Sequence, residues 1–145
     1  MYIEEFKEIK IAYMRQTGKY GNENKKLMEI FKSYLKQNNL FNDDTIILGI
    51  ALDDPNQTSE QSQRYDVGMV INTQNNLITL PTRNIDDGKY AIFEIDHTYE
   101  DISNFWQNIP VITNQLSIDH NKSIIERYAY RKIVMNKCEM CVPLK

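Results

Sequence analysis

The sequence predicts an α+β fold made from a duplicated β-α-β-β unit, and three observations carry that prediction. Residues 11–20 recur in character at residues 90–99, each copy reading strand, turn, tyrosine, helix, with an offset of 79 from Ile11 to Tyr90. A second pair of matching strands, residues 65–70 and 138–143, is offset by 73 from Tyr65 to Cys138. The chain has 145 residues, enough for one domain that buries about 68–70% of its unfolded surface. Two long copies are too few for a solenoid. They predict a pseudo-symmetric globule over residues 1–145, with repeat one at about 1–72 and repeat two at about 88–145. Its sheet is expected to be mostly antiparallel, with two helices on one face. The seam between the repeats is where a small-molecule cleft is expected.

Residues 9–17 alternate as a strand requires, with Ile11 and Tyr13 on one face and Ala12 and Met14 on the other. Gly18 and Gly21 punctuate its end. From Asn22, read as the N-cap, Leu27, Ile30, Phe31, Tyr34 and Leu35 recur at the spacing of an amphipathic helix, and lysines fill the other faces. Asn38 and Asn39 stop it. The apolar run 46–52 has strand length, and Asp53-Asp54-Pro55-Asn56 turns the chain. Residues 57–63 read as a surface loop and 65–71 as the returning strand. The connector 72–87 carries a candidate short strand at 77–80. The second half repeats the order: a strand at 89–95, a helix at 99–108 with Ile102, Phe105 and Trp106, and strands at 124–130 and 138–144. Pro110 should end or kink the second helix.

Seventeen basic and 20 acidic residues give a net charge of −3, with no basic stripe to neutralise a phosphate backbone. Direct nucleic-acid binding is not expected. The chain opens from Met1 into Tyr2-Ile3-Glu4-Glu5-Phe6 with neither a leader pattern nor an apolar run of bilayer length. A cytoplasmic protein without membrane contact is the expectation. Cys138 and Cys141 have a spacing seen in redox pairs and half zinc sites, but on a strand residues three apart point to opposite faces. With only His97 and His120 elsewhere, ordinary thiols are expected, and neither a metal nor a cofactor. No glycine-rich phosphate loop occurs.

The candidate site residues come from the strands. Glu139 lies in the middle of an apolar closing strand, sharing a face with Cys141 and Pro143 and opposite Met140, Val142 and Leu144. If those three pack on the helices, Glu139 points into the other face, where a desolvated carboxylate favours a cationic partner or a raised pKa. Its repeat partner is Asp66. The bland alternative, an acid paired with Arg64 or Arg127, weighs equally on spacing alone. Nine tyrosines exceed what a core asks for, and Tyr65, Tyr128 and Tyr130 fall on strands near these acids. Tyrosine supplies a π-rich wall with a polar tip, suited to planar or cationic ligands. Glu126 and Tyr128 share a strand face, placing a second carboxylate beside the same aromatic, an arrangement able to do acid/base work. Trp106 reads as a core anchor first and a wall second. His97 and His120 read as solvated loop histidines.

Taken as a set, Thr17-Gly18-x-Tyr20, Gly49-Ile50-x-x-Asp53-Asp54-Pro55, Arg64-Tyr65-Asp66, Gly88-Lys89-Tyr90-Ala91-x-Phe93-Glu94, Tyr99-Glu100-Asp101-Ile102 with Trp106, Glu126-Arg127-Tyr128 and Glu139-x-x-x-Pro143 resemble the GyrI-like small-molecule-binding domain. That family includes the DNA gyrase inhibitor and effector-binding domains of AraC- and MerR-type transcription activators. The resemblance implies an SHS2-type duplicated fold with a ligand cleft between the repeats and places the pocket acid at Glu139. Tyr128, Trp106 and Tyr65 match the aromatic walls, with Glu126 and Cys141 beside them. It implies a stand-alone, multidrug-type binder of lipophilic or cationic compounds. The alternatives are a cofactor-independent hydrolase of electrophilic xenobiotics using Glu139 and Tyr128, or an inhibitor or protective partner of gyrase or of a regulator. Two departures stand out: Asp96-His97-Thr98-Tyr99 lacks the usual glycine before the tyrosine, and Pro110 interrupts the second helix.

Overall fold

Eight strands pair in the order β1-β6-β8-β7-β3-β4-β2-β5 in a computed structural model that describes residues 1–72 and 79–145. They are β1 Tyr2–Phe6, β2 Lys10–Thr17, β3 Ile46–Ala51, β4 Arg64–Ile71, β5 Thr82–Asn84, β6 Gly88–Asp96, β7 Ile125–Ala129 and β8 Lys137–Pro143. Helices α1 Asn22–Gln37, α2 Tyr99–Gln107, α3 Ile109–Ile112 and α4 Tyr130–Ile133 complete the α+β fold. Among the described residues every strand pairing is antiparallel. Of the expected strand at 77–80, Leu77 and Ile78 lie outside the described residues. The edge strands β1 and β5 go beyond the elements the sequence predicts, and Tyr130, placed on a strand by its sequence, opens α4 instead.

The duplication is written in the strand registers. Ile11 faces Val70 and its counterpart Tyr90 faces Pro143, the counterpart of Val70, so both sequence offsets meet in one pairing. Gly49 faces Val67, and Glu126 faces Met140, which stands to Val67 as Pro143 stands to Val70. Gly49 and Glu126 are therefore repeat equivalents, and they are also directly opposite each other across β3 and β7. The pseudo-twofold axis runs through this pair, at the centre of the sheet.

Both faces of the sheet are covered. One face curls over a core of Phe6, Ile11, Leu48, Ile50, Tyr90 and Ile125, contributed by strands from both repeats. The opposite face carries the helices. Leu27, Phe31 and Leu35 repeat every four residues on α1 and bury against Ile47, Tyr65, Val67 and Met69. Each such side chain contributes about 1.5–3 kcal/mol when fully buried. Phe105 of α2 packs in the same way on Ala91, Met140 and Val142.

Helix termini follow local chemistry. The N-cap of α1 is Gly21 at φ 141°, one residue before the expected Asn22, with no side-chain cap bond; a side chain would be strained in that backbone conformation. Asn38 closes α1 by donating its side-chain amide to the Tyr34 carbonyl at 2.8 Å. At α2, Thr98 occupies the N-cap and its Oγ1 accepts from the Asp101 N–H at 3.1 Å, while Glu100 and Asp101 face the helix dipole. Thr98→Ala is expected to cost about 1 kcal/mol, read as a lowered urea midpoint with an unchanged slope. Asn108 ends α2 and precedes α3, so Pro110 lies in a first turn where its missing N–H is tolerated. The break that the proline predicts is present.

Candidate functional site

A cavity of about 670 Å³ opens between α1 and α2 over the seam of the two repeats. Its floor comes from the strands: Ala51 on β3, Tyr65 on β4, and Glu126 and Tyr128 on β7. Met28 and Lys32 of α1 form one wall, and Ile102 and Trp106 of α2 form the other. The tyrosines that precede or open the two helices, Tyr20 and Tyr99, both line it.

Glu126 is the carboxylate of this floor. It is 9% exposed and accepts a hydrogen bond from the Tyr65 hydroxyl at 2.7 Å. Burial raises its pKa, and hydrogen bonding to Tyr65, Tyr128 and Trp106 offsets part of the rise. All three of those groups are neutral, so among the described residues of the floor the carboxylate meets no cation. Burial and the neighbouring Glu126 likewise push the hydroxyls of Tyr65 and Tyr128 well above the ordinary phenol range. Room for the pair exists because the residue opposite Glu126 is Gly49. A Cβ there would lie 2.3 Å from the Tyr65 hydroxyl and 2.8 Å from Glu126 Oε1.

The aromatic walls are fixed from behind. The Tyr20 hydroxyl donates to the Arg64 carbonyl at 2.7 Å and accepts from the Asp53 N–H at 3.1 Å, and its ring meets Tyr65 edge-on at 6.5 Å. Arg64 in turn donates from Nε and Nη2 to Asp53 at 2.9 and 2.8 Å, tying the 53–63 loop to β4. The His97 ring packs at 5.5 Å against Tyr128, tilted to it. Burial, with help from the charge of Lys32, lowers the His97 pKa and so favours the neutral imidazole.

Of the six residues picked from the sequence, the fold gathers Tyr65, Trp106, Glu126 and Tyr128 around this cavity and sets Glu139 and Cys141 apart from it. The expectation for those two is corrected by strand register. Arg127 faces Glu139 across β7 and β8, so Glu139 shares the face of Arg127 while Glu126 and Tyr128 point the other way, towards the helices. Glu139 does turn from the helices as its strand pattern predicts, but the cavity lies on the helix face. There, across the sheet, Glu139 accepts from Arg127 Nε at 2.9 Å and from the Tyr2 hydroxyl at 2.9 Å, and Arg127 also donates to Glu4 at 2.9 and 3.1 Å. Its repeat partner Asp66 is equally enclosed, accepting from Arg15 Nε at 2.7 Å and Arg83 Nε at 2.9 Å. Both acids hold ion pairs. Cys141 is fully buried in the inner core, and Cys138 is buried too; burial pushes both thiols up to about 12.

The sequence presents His97 as a solvated loop residue and Lys32 only as part of a polar helix face; both line the cavity, as does Tyr20. Tyr20 carries a signal, since the repeat itself ends each copy on a tyrosine at the helix start. His97 carries none, because its position depends on how the 96–99 turn packs against β7.

Among the described residues no helix is long and apolar enough to cross a membrane. The family description "GyrI-like small molecule binding domain" matches residues 1–145. YosT of Bacillus subtilis (strain 168), an SPbeta prophage-derived protein named as a candidate transcriptional regulator, is 42% identical over 147 residues, covering 99% of this chain and 97% of its own length. Among solved structures, the C-terminal domain of EcmrR superposes with a TM-score of 0.67 at 11% identity, covering 99% of this chain and 96% of that domain. SAV2435, solved bound to tetraphenylphosphonium, superposes with a TM-score of 0.64 at 13% identity, covering 99% and 93%. The repeat registers, the cavity at their seam and the full-length match place this chain in the GyrI-like small-molecule-binding family.

Proposed function

We propose that the cavity captures a lipophilic small molecule bearing a cationic or hydrogen-bond-donating group, with Glu126 as the anion at its floor and Tyr20, Tyr65, Trp106 and Tyr128 as its walls. The observation that carries this reading is the burial of the Glu126 carboxylate among neutral donors in an aromatic enclosure. A desolvated carboxylate without a cation gains more from an incoming positive charge than one already paired. Aromatic faces add about 0.5–2 kcal/mol for each cation they meet. The ligand carried by SAV2435, a lipophilic cation, is of this kind. The relation to YosT supports a role in which ligand capture informs a regulator.

Calorimetric titration with tetraphenylphosphonium checks the assignment. Glu126→Gln keeps the shape and the acceptor oxygen but removes the charge, and it is expected to weaken binding about tenfold or more, in line with loss of a charge-assisted contact of about 1.5–3 kcal/mol. Equal affinity in both proteins would remove Glu126 from the role.

Hydrolysis of an electrophile is a second reading, favoured by the raised pKa of Glu126 beside two tyrosine hydroxyls, an arrangement able to deliver or accept a proton. Incubation with a panel of epoxides and strained-ring electrophiles, followed by product analysis, separates the readings. Binding without product leaves capture alone.

A further inference from the structure

The two walls of the cavity differ in charge. The α2 wall offers Tyr99, Ile102 and Trp106, with no carboxylate or ammonium group among them, whereas α1 contributes two ammonium groups, Lys25 and Lys32. They lie two turns apart along one helix face. Lysine ion pairs are found at Lys19, Lys26, Lys122, Lys132 and Lys137, and among the described residues neither Lys25 nor Lys32 has a carboxylate within 4.0 Å.

Lys25 lies 5.7 Å over the Tyr99 ring, spanning the mouth between the helices. Lys32 is half-buried beside His97. A half-enclosed ammonium with no counterion is unfavourable, and an anion brought in by a ligand would relieve it. The neutral His97 adds an N–H at the same place. Glu29, on the same helix face between the lysines, is exposed and pairs with neither. The cavity is thus negative at its β7 floor and positive along α1, within a volume in the usual range for organic ligands, about 300–1,000 Å³.

We infer that this site selects a zwitterionic amphiphile: a cationic or N–H-bearing head on Glu126, an aromatic body against Tyr65, Tyr128 and Trp106, and an anionic group held by Lys32 and Lys25. The inference rests on the reading of Glu126 as the floor anion and adds a second, opposite charge to the ligand.

Rhodamine B and its ethyl ester form a matched pair of probes, the first a zwitterion with a free carboxylate and the second a simple cation. Fluorescence anisotropy with the full chain is expected to show the zwitterion bound about fivefold or more tighter, the scale of one partly exposed ion pair. Lys32→Met should abolish that preference by weakening the zwitterion, while the ester, a cation freed from a like charge in the wall, binds at least as tightly as before; Lys25→Met should reduce the preference. An unchanged far-ultraviolet circular dichroism spectrum and a cooperative urea transition show that each variant is folded. Equal affinity of the two dyes in the wild type, or a preference that survives Lys32→Met, overturns the inference. Glu126→Gln separates the two levels: it should weaken both dyes and leave their ratio intact. If it weakens neither, the floor assignment itself fails, whatever the ratio shows.

Discussion

Arg127→Ala is expected to lower the unfolding free energy by about 3–5 kcal/mol at neutral pH, because it strips the guanidinium from a carboxylate that the fold has enclosed. Glu139 has a side chain only 4% exposed, and Arg127 holds it and Glu4 together across three strands. Urea unfolding reads the loss directly, and an unchanged midpoint would mean that the cluster carries no stability. The double variant Arg127→Met with Glu139→Leu should recover much of it, since an apolar pair of similar volume leaves no enclosed charge unanswered and Glu4, whose side chain is 35% exposed, keeps its access to water. Affinity for tetraphenylphosphonium should survive, because the cluster lies across the sheet from the cavity.

The two glutamates should differ in their response to pH. Burial alone would raise the Glu139 pKa, but hydrogen bonding and charge from Arg127, with the Tyr2 hydroxyl, outweigh it and bring the pKa below its usual 4.5. Its contribution to stability is present above that value and is lost as pH falls through the lowered pKa. Glu126 has the opposite sign. Its pKa is raised, so its contribution is greatest below 4.5 and is lost as pH rises through the raised value. Glu126→Gln should therefore stabilise the protein at neutral pH while weakening ligand binding.

Gly49→Ala is expected to destabilise by about 1–3 kcal/mol, the usual range for overpacking, and to weaken tetraphenylphosphonium binding at least tenfold. The new methyl would overlap the Tyr65 hydroxyl and crowd Glu126 Oε1, so the hydrogen bond that fixes the floor has to break. Thermal melting and calorimetric titration of one preparation give both numbers. Gly68→Ala is the comparison, since its Cβ would meet Ile11 Cδ1 at 2.8 Å and the Ala12 carbonyl at 3.1 Å on the inner face. It should cost stability and spare affinity. Affinity lost equally in both variants would point to general unfolding rather than to the floor.

The paired helices and the six strands of the repeats were legible because each has a period: Leu27, Phe31 and Leu35 on α1, alternation along β2 and β4, and the two offsets between the copies. Residues 2–6 were not, since only Phe6 of that strand is buried and an edge strand with one covered face leaves little pattern. Thr82–Asn84 is too short and too polar to declare itself. At the site, strand parity correctly put Glu126 with Tyr128 and Glu139 with Cys141. Parity within one strand does not say which face of a neighbour it joins. That needs the register of β7 on β8, and it is this pairing of Arg127 with Glu139 that sends Glu126 to the cavity. His97 and Lys32 meet only when α1 of the first repeat and the turn before α2 of the second pack together, and a contact between segments so distant in sequence leaves no local trace.

The axis through Gly49 and Glu126 sets a condition on how such a site can be encoded. Two identical half-length chains related by that axis would carry the same residue on both of its sides. With glycine twice there is no acceptor; with glutamate twice, two buried carboxylates stand on Cβ atoms about 4.5–5.5 Å apart and repel each other. A single charge on a twofold axis, with an empty position opposite to make room for it, requires halves that differ at that residue, a freedom that two copies carried in one chain have and two identical chains lack.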